Sequence, residues 1–141
     1  MYTVFVCLDD NNGMLFHKRR QSMDAKVRED MLRSIPPNKK LLVTAYTARQ
    51  FSVETAEFLD ISEDLLPAED EDIYFFNEAT QLAPMQKEIH TLVIYRWNRK
   101  YPADVYFDLD LSEWEEKENT EITGSSHERI SKLTYCRRTN Q

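Results

Sequence analysis

Six consecutive residues, Arg19-Arg20-Gln21-Ser22-Met23-Asp24, gather two cations, an amide and a carboxylate between a strand's exit loop and the start of a helix. Arginine grips carboxylate or phosphate through paired donors, and a helix N-terminus favours anions. The plainer reading makes Asp24 a helix cap and leaves the arginines in water; at this point both stand. Arg96-Trp97-Asn98-Arg99-Lys100-Tyr101 interleaves cations with aromatic rings, as base-stacking surfaces do. It also fits a strand end closed by cation–π packing, the reading that the acidic composition favours. Gly124-Ser125-Ser126-His127-Glu128 sets serine beside histidine and glutamate, but adjacency in sequence is not triad geometry, and a polar hairpin loop explains it. His17, His90 and His127 fall one to a region, without the grouped ligands a zinc site needs.

The elements that must position these groups come from a chain of 141 residues, read as one domain over 1–141. Its 25 acidic and 18 basic side chains give a net charge of −7, which disfavours nucleic acid and anionic membranes as partners. Only two glycines occur, Gly13 and Gly124, so neither a P-loop nor a G-x-G-x-x-G turn can be written. No apolar stretch approaches the ~20 residues of a membrane span, and the first residues do not read as a signal peptide. Cys7 and Cys136 lie in strand-like runs without C-x-x-C spacing, consistent with reduced, buried thiols in a cytoplasmic protein. Thr3–Leu8, Leu41–Val43, Ile73–Phe76, Ile89–Trp97 and Ile130–Arg138 read as strands, with a weaker one over Glu57–Ile61 and short extended segments at Val105–Phe107 and around Trp114. The acidic run Glu69–Asp72 reads as a turn. Val27, Met31, Leu32 and Ile35 mark one face of a helix capped by Ser22 or Asp24 and ended by Pro36-Pro37. The fold class is α/β, with strands buried on both faces and some parallel pairing.

Leu92-Val93-Ile94-Tyr95-Arg96, Asp104-Val105-Tyr106-Phe107, Trp114, Ser126-His127 and Tyr135-Cys136-Arg137-Arg138 occur in an order and spacing that resemble the closing pattern of the dihydrofolate reductase superfamily. The Asn11-Asn12-Gly13-Met14 turn, the helix with an early acid and Thr47 at a helix start match more loosely. The resemblance implies a single domain with a central mixed, largely parallel sheet, few flanking helices and a shortened middle. It places Asp24 at the pterin-binding carboxylate, Tyr95 at the threonine that partners it, and Thr47 at a contact to cofactor phosphate.

Asn77-Glu78 stands where the family has a glycine pair, Leu82 where it has a tyrosine, and Phe16–Arg20 where it has a proline-tryptophan element. Those departures argue against conventional NADPH binding, and no other cofactor is assigned. The expectation is a small-molecule or nucleotide-binding protein using the cleft near Asp24, without NADPH-dependent reduction. Asp24 and Tyr95 are its chemical centre, and Arg19, Arg20, Gln21, Thr47 and Asn77 its ligand contacts. The alternative is an NADPH-dependent reductase of a pterin-like substrate, with Asp24 relaying a proton. A third class is an interaction module using edge strands and the Arg96–Tyr101 patch, which would show as a homodimer or with a co-purifying partner. A metal-independent nuclease would draw on Arg19, Arg20 or His127, which no grouped acid and base support.

Overall fold

Tyr2–Leu8 forms β1, the central strand, because its side chains can be buried on both sides. Tyr2, Val4, Val6 and Leu8 join Leu42, Phe75, Leu92 and Ile94 on one face. Phe5 joins Val43, Phe76, Val93 and Tyr95 on the other. This two-residue alternation of faces makes a continuous apolar run the signature of an interior strand.

The computed structural model describes residues 1–65 and 71–138. In chain order its strands are β1, β2 (Gly13–Phe16), β3 (Arg19–Arg20), β4 (Leu41–Val43), β5 (Leu59–Ile61), β6 (Ile73–Phe76), β7 (Ile89–Arg96), β8 (Val105–Tyr106), β9 (Trp114–Ile122) and β10 (Ile130–Arg137). Seven of them form one sheet in the order β5-β4-β6-β1-β7-β10-β9. Pairing is parallel from β5 to β7 and antiparallel from β7 through β10 to β9. This is the mixed, largely parallel sheet the sequence implies. Glu69 and Asp70 of the expected acidic turn lie outside the described residues.

Two helices flank the sheet: α1 (Ala25–Arg33) and the four-residue α2 (Ala45–Ala48). Val27 and Met31 bury against the Phe5 face, while Leu32 and Ile35 pack at its margin. Loops and short 3₁₀ turns cover the opposite face with Leu82, Phe107 and Leu109. No helix among the described residues is long and apolar enough to cross a membrane.

Two segments differ from the sequence reading. The stretch around Trp114 is a nine-residue strand, exposed from Glu115 to Glu121. Its polar side chains suit a sheet edge in water and carry no burial signal. Phe16–Arg20 is a tight hairpin, and β3-β2-β8 form a second, small sheet. His17 and Lys18 turn that hairpin at φ 50° and 64°. Two-residue hairpins demand this left-handed backbone at both positions and usually place Asn or Gly there, so histidine-lysine gave no turn signal.

Candidate functional site

Asp9 lies at the end of β1, fully buried although charged. Its carboxylate accepts the backbone N–H groups of Asn11 (2.9 Å), Gly13 (2.8 Å) and Tyr101 (3.0 Å), and the Gln21 amide (3.2 Å). One acid thus fixes the β1 exit, the start of β2, the end of the β2–β3 hairpin and the loop after β7. Gly13 makes this possible: a Cβ there would meet Ala103 at 2.6 Å and Gln21 Nε2 at 2.8 Å. Asp9 is a site residue that the sequence motifs do not single out. Its sequence signal is an acid at a strand end with glycine four positions on.

Asp24 is the N-cap of α1 and is almost fully buried. Oδ1 accepts from the N–H groups of Lys26 (2.8 Å) and Val27 (3.1 Å). Oδ2 accepts from the N–H and the hydroxyl of Ser126, both at 2.7 Å. Burial alone would raise its pKa, but the Ser126 and helix donors outweigh burial and lower it from 3.8 to about 2. Asp24 is therefore an ionised clamp with its acceptor positions filled. Gly124 lets the last loop close on it, since a Cβ there would overlap Asp24 Oδ2 and Ile130.

The expected Asp24–Tyr95 pair does not form. Tyr95 is buried on the face that receives α1, and its hydroxyl donates to Asp30 Oδ2 at 2.6 Å, which also pairs with Lys132 at 2.7 Å. Asp30 lies six residues further along α1, about 9 Å of helix rise. The tyrosine ring reaches past the position where a threonine would stop. Burial and the Asp30 carboxylate push the Tyr95 phenol far above its ordinary pKa, so it stays protonated.

The Ser126 loop also brings in a group that sequence reading treated as a plain hairpin. His127 Nδ1 lies 2.7 Å from Ser126 Oγ, and its Nε2 lies 2.6 Å from the Tyr101 hydroxyl. Trp97 stacks on the imidazole with centroids 4.9 Å apart. The three histidines do not come together, and no group of three possible metal ligands exists among the described residues.

Across the strand ends, Arg20 holds Glu78 through two bonds, Nε–Oε2 at 2.8 Å and Nη2–Oε1 at 3.0 Å. Thr47, buried at α2, donates to Glu78 Oε1 at 2.7 Å. The Arg20 guanidinium lies 4.2 Å over the Tyr46 ring and donates to the Tyr46 carbonyl. Glu63 Oε2 accepts the Ala45 N–H at the start of α2. Asn77 is buried and exchanges two hydrogen bonds with the Thr80 backbone, while bordering the spaces on either side of Glu78.

Of the expected contacts, Arg20 and Thr47 thus meet on one carboxylate, Asn77 shapes the adjoining turn, Gln21 borders the space beside Asp24, and Arg19 lies on the hairpin's groove side. The space between Asp24, Phe76 and Glu78 is a cavity of about 20 Å³. That suits a water molecule and is far too small for a heterocycle. Beside it, across Arg20 and Gln21, opens a groove of about 490 Å³ bounded by Phe16, His17, Arg19, Tyr101 and Pro102.

The strand order and the placement of α1 define a dihydrofolate reductase-like fold. A solved structure described as dihydrofolate reductase from Enterococcus faecalis, complexed with NADP(H) and RAB-propyl, matches at a TM-score of 0.70. The match covers 99% of this chain and 97% of that one at 9% sequence identity, so the likeness is one of fold. No protein-family model and no curated protein matches the sequence.

A nicotinamide cofactor, which this fold implies, does not fit the residues present. The resemblance sets cofactor phosphate near Thr47 and a glycine pair after β6. Here the Thr47 hydroxyl is committed to Glu78, and the N-terminus of α2 is committed to Glu63. A phosphate would have to displace two carboxylates or lie against them, and like charge at such a site costs on the order of several kcal/mol.

Proposed function

We propose that this chain binds a small anionic aromatic molecule in the groove beside the β2–β3 hairpin and does not carry out NADPH-dependent reduction. The observation that carries this reading is the contrast in space and charge. The cavity at Asp24 holds about 20 Å³, whereas the adjoining groove holds about 490 Å³. Phe16 and His17 stack at its rim with centroids 3.9 Å apart, offering a flat surface to a ring. Arg19 is exposed and has no ion-pair partner among the described residues, unlike Arg20. An aromatic ring bearing a carboxylate, sulfonate or phosphate meets both features.

Benzenesulfonate is a suitable probe, being planar and anionic at every working pH. Titration followed by NMR is expected to shift the signals of Phe16 to Gln21 and of Tyr101, and Arg19→Ala is expected to weaken binding about two- to fivefold. Shifts clustered on Asp24 and Phe76 with the groove unmoved would contradict the reading.

A further inference from the structure

The hydrogen bonds from Asp24 to Tyr101 run in a direction that chemistry fixes. The ionised Asp24 can only accept, so the single proton of Ser126 Oγ is committed to it at 2.7 Å. Ser126 Oγ must then accept from His127, which places the imidazole proton on Nδ1. In the neutral ring Nε2 is left as an acceptor, and it takes the Tyr101 hydroxyl proton at 2.6 Å. Tyr101 also borders the groove. With its proton committed to His127, the Tyr101 hydroxyl has no hydrogen left to offer an anion in the groove this residue borders.

We propose that Tyr101 is the ligand-reading donor of this groove and that protonation of His127 turns its hydroxyl outward toward the anion. This rests on the groove reading above. When His127 gains a proton, Nε2–H donates to the Tyr101 oxygen, and the phenolic hydrogen is released to the ligand. The Nδ1–Ser126–Asp24 links are unchanged, so only the last hydrogen bond reverses and the backbone need not move. The proton comes from solvent, and a positive charge appears beside the groove in the same step. An anion binding there takes up a proton, and by reciprocity the proton strengthens the anion's binding.

The charged groups around the imidazole fit this role. Asp24 faces it from the start of α1 through Ser126, and Arg99 faces it from the loop after β7. Glu128 and Arg129 share with it an opening on the side away from the hairpin. Trp97 covers one ring face. Burial and Arg99 hold the His127 pKa below its ordinary value while Asp24 opposes them, so the ring is neutral at neutral pH and free to respond. His17, Arg19 and Arg20 lie on the hairpin side of the groove, and His17 is the other imidazole there.

The test is benzenesulfonate affinity at about pH 5.5 and about pH 8, with the histidine Hε1 signals followed in the same samples. The expected result is about tenfold tighter binding at the lower pH, with the His127 midpoint rising by about one unit when ligand is saturating. His127→Gln and Tyr101→Phe should each flatten the pH dependence, whereas His17→Gln should retain it. The wild-type His127 titration reads the coupling even if a variant folds poorly. Equal affinity at both pH values, or a dependence that follows His17, overturns the coupling and leaves the groove reading intact. Absence of saturable binding at both pH values overturns the coupling and the groove reading together.

Discussion

Two regions at the carboxyl ends of the same parallel strands have opposite character. Along Thr47, Glu78 and the start of α2, a space of about 300 Å³ opens, but the Thr47 hydroxyl and the Ala45 N–H beside it are held by Glu78 and Glu63. Across the hairpin, Arg19, His17 and Tyr101 surround open space, and Arg19 has no counter-ion among the described residues. Arg20 separates the two, with its charge spent on Glu78. A chain of net charge −7 thus uses some of its acids as internal counter-ions and leaves a local cationic surplus in one groove. A few carboxylates can thus occupy the polar groups along a fold's usual ligand track without altering the sheet.

The largest expected effect comes from the clamp that supports both regions. Asp24→Ala removes a helix cap and leaves the Ser126 donors unpaired, so unfolding free energy should fall by about 2–4 kcal/mol in denaturant titrations. Gly124→Ala pushes a methyl against Asp24 and Ile130 and should cost about 1–3 kcal/mol in the same measurement. Either variant should also disturb the His127 signals, because the loop that carries Ser126 no longer seats.

Acid sharpens the same point without a substitution. Asp24 has a folded pKa of about 2, below the 3.8 of an unperturbed carboxyl. Its contribution is therefore present above pH 3.8 and is lost as pH falls toward 2. Thermal melts should show a decline over that window that Asp24→Asn reduces. An identical acid profile in that variant would assign the loss to other carboxylates.

The smallest effect tests the boundary itself. Glu78→Gln removes the counter-ion of Arg20 and should tighten benzenesulfonate binding severalfold in calorimetry. Unchanged affinity would show that Arg20 contributes nothing to the groove even when it is unpaired.

The frame was legible in the sequence because interior strands announce themselves. The β1, β4, β6, β7 and β10 runs are apolar on both faces or alternate clearly, and α1 shows its Val27–Met31 stripe. The edge strand Trp114–Ile122 was under-read because exposed Glu, Lys and Asn look like loop. Asp24 was legible as a cap, but its grip on Ser126 required a contact across 102 residues of sequence. Glu78 signalled a carboxylate on the cofactor track, yet nothing in the sequence showed that Arg20 and Thr47 would both hold it. Asp30 drew Tyr95 away from Asp24 because side-chain length, which a residue-by-residue match ignores, decides which acid the hydroxyl reaches. Groove and cavity volumes depend on such packing and have no sequence signature.

What sets this chain apart is that its own carboxylates hold the Thr47 hydroxyl and the start of α2, the groups a dinucleotide phosphate would meet. Calorimetric titration of NADPH at neutral pH and low salt tests it most directly. No saturable binding is expected below about 1 mM, a free energy weaker than about −4 kcal/mol. One-to-one micromolar binding with NMR shifts at Thr47 and Glu78 would contradict it.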